Sequence, residues 1–371
     1  MNIKDIFTFH NLYNAHLKTR RGKLYKNEVA LFDLNKANEL FSLEESFIKN
    51  TYQISPYRTF YIFEPKKRRV DATSYKDRVV QNCFVDNYLF PLLENHLIYD
   101  NGACRKNKGT DFARNRLKSF LLEAYKKYGN KFYVLSFDVH HYFESIDHDV
   151  LKAKLRKLIK EDDIYSFATM VIDSFSIEDN KGIPLGNQSS QCFALYYLDH
   201  LDRIIKERFQ IKYYSRYMDD GVIISNDKNK LMKLLNALKE EIKDIKLQFN
   251  LDKTFIYSIK QGVTYLGFRY KFTSTGRLIV TMARKKKKRL IRHLNRHEYD
   301  IDTLMCYHNY LLLRSNNRTL IKNLRYRVYQ YIKDNHLSNE DNPFVIKRRK
   351  RLVYLYYQRK YSKRHRLVNV Q

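Results

Sequence analysis

The chain has 371 residues with 70 Lys+Arg against 40 Asp+Glu, a formal net charge of +30. Hydrophobic residues at 44% and aromatic residues at 15% exclude a disordered chain and allow a core of two or three subdomains, while 10 Gly and 5 Pro exclude collagen-like or low-complexity structure. The charge excess calls for an anionic partner, nucleic acid or a membrane surface.

No uncharged apolar run approaches the roughly 18 residues of a membrane span. The opening segment lacks the order of a signal peptide. Cys83, Cys104, Cys192 and Cys306 form no CxxC pair, so neither a zinc knuckle nor a disulfide framework is expected. These features predict a cytoplasmic protein with reduced cysteines and no membrane attachment.

In chain order, residues 1–55 read as an N-terminal helical extension with a helix over 34–50. Residues 58–70 alternate aromatic and polar positions before Pro65 and a basic cluster, which predicts strand, turn, strand. Residues 77–98 carry apolar side chains at helical spacing, broken near Pro91. Residues 109–128 form a second amphipathic helix that opens on Thr110 and Asp111. Next comes a short buried strand, KFYVLSF, whose C-terminal end presents Asp138. Residues 150–175 and 188–208 read as helical. Residues 211–225 read as strand, tight turn at Asp219-Asp220-Gly221, strand. A helix over 227–244 and strands over 246–258 and 262–271 follow. The rest is basic and mostly helical: residues 281–371 hold 24 Lys+Arg and 6 Asp+Glu, a net +18. The pattern is α+β, a small antiparallel sheet backed by helices between helical flanks.

Asp138, Asp219 and Asp220 each fall where a strand meets a turn. Adjacent carboxylates at a hairpin tip repel unless a cation compensates them. Hard oxygen ligands in such a group suit Mg²⁺, which keeps further positions for water and phosphate. An isolated Asp-Asp pair also fits an ordinary polar turn. The second strand-end Asp upstream, in a strongly basic chain, favours the metal. His140 and His141 lack a third ligand at metal-binding spacing.

The segment SRYMDDGVIIS resembles the Tyr-x-Asp-Asp box of reverse transcriptases, and SFDVHHYFESI resembles their first carboxylate motif. GIPLGNQSSQCFALYYLDHLDR is similar to the motif between them, and FNLDKTFI and TYLGFRY to the two after the box. EPKKRRVDATSYKDRVVQN and YDNGACRKNKGTDFA resemble fingers motifs of bacterial retroelement enzymes of the group II intron lineage. All stand in the family's order.

The resemblance implies a right-hand polymerase fold: fingers over 56–130, palm over 131–275, helical thumb over 276–330, and a basic Tyr-rich C-terminal extension over 331–371. It implies two-metal nucleotidyl transfer with Mg²⁺, or Mn²⁺ as a substitute, and dNTP substrates. Asp138 and Asp219 would hold both ions, with Asp220 in support and the Val139 carbonyl as a further ligand. Lys66 and Arg68 match residues that grip the triphosphate, and Lys253 matches a lysine proposed to protonate leaving pyrophosphate. Phe143 matches the bulky side chain beneath the sugar that excludes a 2′-hydroxyl. Leu185, Gly186 and Gln191 line the nucleotide in the middle motif. Arg105, Lys108, the run Arg284, Lys285, Lys286, Lys287, Lys288 and Arg289, and the later cluster Lys347, Arg348 and Arg349 would hold nucleic acid, with tyrosines available for stacking.

One departure is specific. Pro184-Leu185-Gly186 puts Leu185 where most members carry a glutamine, and an aliphatic side chain cannot make that hydrogen bond. An aliphatic-Gly-x-x-x-Ser-Gln motif resembles error-prone enzymes of diversity-generating retroelements. The alternatives are an antiphage defence reverse transcriptase, bacterial or phage-encoded like the first, and a non-catalytic RNA-binding or maturase protein. Expected partners are an RNA template, the cDNA product, structured non-coding RNA and a small basic accessory protein.

Overall fold

The computed structural model describes residues 1–63, 67–296, 299–337 and 343–344. These form two compact units, Met1–Ile259 and a second beginning at Lys260.

The first unit opens with α1 (Ile3–Ile6), α2 (Phe9–Arg20), α3 (Asn27–Leu34) and α4 (Lys36–Ile48). The single helix expected over 34–50 therefore begins at Lys36, and a separate helix precedes it. This region contributes side chains to the main core. Phe7 stacks on Phe47 at 3.8 Å between ring centroids and meets Phe167 edge-on at 4.9 Å, inside the main core. A hairpin follows, β1 (Arg58–Ile62) antiparallel to β2 (Arg68–Ala72), as the alternation predicts. Then α5 (Tyr75–Phe84) runs through one π-helical turn, Val85–Leu89, into α6 (Phe90–Glu94), so Pro91 lies within a continuous helical run, directly after the π turn that takes up the irregularity its missing N–H brings. Helix α7 (Thr110–Tyr128) leads into β3 (Tyr133–Phe137), α8 (Tyr142–Ser145), α9 (His148–Leu158) and α10 (Asp162–Asp173). The helix expected over 150–175 is thus two; α9 starts where the Asp147 carboxylate accepts from the Val150 N–H at 3.0 Å.

Helices α11 (Gln188–Tyr197) and α12 (Asp199–Arg203) precede a hairpin of β4 (Tyr213–Tyr217) and β5 (Asp220–Ser225). Helix α13 (Lys228–Asp244) and β6 (Phe255–Ser258) close the unit. The four strands form one antiparallel sheet in the order β4-β5-β3-β6. Both faces are covered, and the two-residue period divides the side chains between them. Leu135, Phe137, Tyr214 and Ile223 join the main core. On the other face Tyr213 meets Phe120 of α7 at 5.5 Å. Of the strand expected over 246–258, the last four residues form β6, Phe249 makes an isolated antiparallel bridge to Val139, and Leu251–Lys253 is a single 3₁₀ turn.

In the second unit β7 (Val263–Tyr265), β8 (Phe268–Phe272) and β9 (Leu278–Met282) make a three-stranded antiparallel sheet. Strand β9 was read as part of the helical tail. Because β8 pairs with β9, the segment 260–275 belongs to this unit rather than to the palm sheet. Helices α14 (Arg284–Arg296), α15 (Ile301–Arg314) and α16 (Arg318–Asp334) complete it. Leu320, Leu324, Val328 and Ile332 recur every fourth residue on α16, and all are buried. Helix α16 runs past the boundary placed at residue 330.

Candidate active site

The three carboxylates converge at one end of the four-stranded sheet. Strand β3 lies beside β5, with Phe137 opposite Gly221, so Asp138 and Asp220 extend neighbouring strand ends. Tyr217 pairs with Asp220, which makes Met218 and Asp219 the two central residues of the β4–β5 turn. The turn is therefore centred one to two residues before the Asp219-Asp220-Gly221 position that composition suggested. Met218 takes φ 55°, the left-handed conformation a primed hairpin turn demands at its first central residue. Gly221 serves a different need. A Cβ there would meet Phe137 ring carbons at 2.1, 2.4 and 2.6 Å, so its glycine lets the strand carrying the acidic pair close over the ring preceding Asp138.

Asp138 is fixed from its other side. Its carbonyl accepts from the Asn250 N–H at 2.7 Å and its N–H donates to Thr254 Oγ1 at 3.3 Å. Asp138 Oδ2 accepts from Lys253 Nζ at 2.7 Å. The Asp138 carbonyl and the His140 N–H make the isolated bridge to the segment 248–250, and the Val139 carbonyl takes no part in it.

Burial, and then the charge of Asp138, raises the Asp219 carboxyl above the ordinary range, against the offsetting charges of Lys253 and Arg216. Asp220 is pushed up to about 7 by burial, then by Asp219 and Asp138. Carboxyls that resist ionisation beside one another are relieved by a cation, and hard oxygen donors of this kind fit a divalent one. Among the described residues no three His, Cys, Asp or Glu side chains form a group that could by itself hold a metal ion. A Mg²⁺ ion needs only one or two carboxylates where substrate phosphate and water complete its shell.

Phe143 lies on α8, half-buried against the core, and its carbonyl accepts from the Ile183 N–H at 2.9 Å, which ties it to the loop before Leu185. Leu185 is half-buried, Gly186 is exposed at φ 108°, and Gln191 stands in the first turn of α11. Arg68 is exposed at the start of β2, opposite Ile62. Lys66, Lys347, Arg348 and Arg349 lie outside the described residues, as do the tail tyrosines.

Two of the residues expected to hold nucleic acid have partners within the chain. Arg105 is buried, and its guanidinium donates to Glu94, the Ile98 carbonyl and the Asn101 carbonyl, so it holds the chain together. Lys108 donates to the Tyr99 carbonyl at 2.6 Å and lies over the Tyr99 and Phe112 rings. In α14, Lys286 donates to Tyr310 Oη at 2.8 Å, whereas Arg284, Lys285, Lys288 and Arg289 are exposed and Lys287 is half-exposed.

Sequence reasoning missed Asp202 and Arg216, whose side chains form a fully buried ion pair behind the turn. The available signal was a lone Arg in an aromatic and β-branched strand. Its partner, 14 residues earlier, had none.

The reverse transcriptase (RNA-dependent DNA polymerase) family model matches residues 59–270, more than half of the chain, and the chain belongs to that family. It is 23% identical over 277 residues to protein YkfC of Escherichia coli, covering 63% of this chain and 71% of that protein. It is 22% identical over 331 residues to the putative COX1/OXI3 intron 2 protein of Saccharomyces cerevisiae, covering 70% of this chain and 37% of that one. Among solved structures, telomerase from Candida albicans in complex with the TWJ fragment of telomeric RNA is similar in fold, with a TM-score of 0.51 at 12% identity, over 80% of this chain and 60% of that one. No described helix is long and apolar enough to cross a membrane.

Proposed function

We propose that the chain copies an RNA template into cDNA by adding dNTPs to a primer 3′-hydroxyl. The observation that carries this reading is the meeting of Asp138, Asp219 and Asp220 at one sheet end, where the charge of Asp138 opposes ionisation of Asp219 and both oppose ionisation of Asp220. In this role Asp138 and Asp219 would hold two Mg²⁺ ions, with Asp220 and the Val139 carbonyl in support, and the metal would supply acidification of the 3′-hydroxyl and charge neutralisation at pyrophosphate. Lys253, paired with Asp138 at 2.7 Å, would protonate the leaving pyrophosphate. Arg68 grips the triphosphate and Phe143 packs beneath the sugar.

The test is extension of a primer on an RNA template with labelled dNTPs and Mg²⁺. Asp219→Ala should lower the rate about a thousandfold, the several kcal/mol that metal stabilisation supplies. Unchanged activity would remove the site assignment.

Within this class Leu185 supports an error-prone enzyme of the diversity-generating type, since it cannot donate the hydrogen bond a glutamine offers. Sequencing of products decides between the readings: errors concentrated at template adenines favour diversification, and accurate copying favours antiphage defence. A small basic accessory protein and a cytoplasmic setting accompany the first reading. The exposed α14 face, Arg284, Lys285, Lys288 and Arg289, supports RNA holding by phosphate contacts.

A further inference from the structure

Arg216 is the largest fully buried side chain among the described residues, and it is charged. Its guanidinium makes a two-pronged pair with Asp202, Nε to Oδ1 at 2.8 Å and Nη2 to Oδ2 at 2.5 Å. Nη2 also donates to the Leu195 carbonyl at 3.1 Å, and Tyr214 Oη donates to Asp202 Oδ1 at 2.6 Å. The backbone is equally fixed: the Arg216 N–H donates to the Asp100 carbonyl and the Gly102 N–H to the Arg216 carbonyl.

A buried ion pair is a weak device for stability, because apolar residues of similar volume serve as well or better. What remains after these contacts is Nη1, and one of its two N–H groups donates to the Met218 carbonyl at 2.8 Å. Met218 is the left-handed residue directly before Asp219, in a conformation that costs an ordinary side chain about 1 kcal/mol or more. Its side chain packs on Leu97, Ala103 and Leu195, so both the side chain and the carbonyl of the turn are held from inside.

We propose that Arg216, clamped by Asp202, is a positioning residue that holds the strained Met218 turn and thereby sets where Asp219 stands and how tightly the carboxylate group takes a divalent cation. This rests on the polymerase reading of the same site. Arg216 touches no substrate, and its effect passes through the turn.

Arg216→Lys keeps a cation beside Asp202 but loses the planar fork that reaches the Met218 carbonyl. Three readouts separate positioning from folding: melting temperature, Mn²⁺ binding to the free protein by electron paramagnetic resonance, and kcat and KM for dNTP on a primed RNA template. The expected result is Mn²⁺ affinity weakened about tenfold or more, kcat lowered at least as much, and KM for dNTP changed less. Tyr197→Phe, which removes a buried hydroxyl bonded to the Ile245 carbonyl, is the control; it should lower the melting temperature and leave Mn²⁺ affinity within about twofold. Adding Met218→Gly to Arg216→Lys, where glycine takes the left-handed turn without cost, should recover part of the affinity. Should Arg216→Lys fail to fold, Asp202→Asn is judged by the same readouts.

Wild-type Mn²⁺ affinity and kcat in a folded Arg216→Lys or Asp202→Asn protein would overturn the proposal while leaving the polymerase reading intact. A wild-type chain that does not extend the primer, with an Asp219→Ala variant that binds Mn²⁺ as the wild type does, would overturn the reading itself.

Discussion

Gly221→Ala tests how the acidic pair is brought to Asp138. The added Cβ would stand 2.1–2.6 Å from three carbons of the Phe137 ring, where ordinary contact needs 3.4 Å or more, so something must move by about 1 Å. The ring has nowhere to go: Phe137 is 1% exposed, with Phe249 at 5.5 Å and Tyr214 at 6.2 Å on its flanks. The shift therefore falls on the β3–β5 pairing, whose ends carry the carboxylates. Overpacking of this kind costs about 1–3 kcal/mol, which for a unit of this size is about 2–4 °C of melting temperature per kcal/mol. The same 1 Å displacement at reacting groups costs about a hundredfold in rate. The assays are thermal unfolding and primer extension on RNA. Phe137→Leu added to Gly221→Ala should restore much of the melting temperature by making room. A Gly221→Ala protein that melts and extends primer like the wild type would refute the argument that this glycine exists for the ring.

The acidic cluster should make metal-free stability depend on pH. Asp220 moves from 3.8 to about 7 on folding, so its ionisation opposes the fold, and stability falls as pH rises across that window. At about 1.4 kcal/mol per pH unit the full effect is about 4 kcal/mol, cut to about 2 by solvent at a partly exposed group. Melts in chelator from pH 4 to 8 should show this slope in the wild type and much less in Asp220→Asn, and saturating Mg²⁺ should flatten it; equal slopes for the two proteins would exclude Asp220 as the source. Phe143→Ala should admit rNTPs alongside dNTPs in competition assays, and unaltered sugar discrimination would end the steric role given to that ring. Leu185→Gln should lower misincorporation measured by product sequencing, and an unchanged error spectrum would leave that position without its assigned effect.

The local features were legible from composition and spacing. The β1–β2 hairpin, α7, β3 and α13 follow from period and caps, because these are set by residues close in sequence. The three carboxylates were legible too, since Asp at a strand end and Asp-Asp at a turn are local patterns. The start of β6 at Phe255 was not, because tertiary pairing decides where a ladder starts.

The conversion of the site from a motif into a geometry belongs to the tertiary structure. In sequence Gly221 is a turn residue after two aspartates; in the fold it is a strand position emptied for the Phe137 ring. Arg216 is one more basic residue among 70, and becomes the buried hold on the turn because Asp202, on α12, comes to meet it. Arg105 and Lys286, read as hands for nucleic acid, turn inward because carbonyls, a carboxylate and aromatic rings lie within reach. The sequence by itself determined the chemistry available, three carboxylates in a net charge of +30, and the order of the motifs. Which charges meet each other and which are left for a partner depended on contacts between residues far apart in the chain, and no local pattern encodes those.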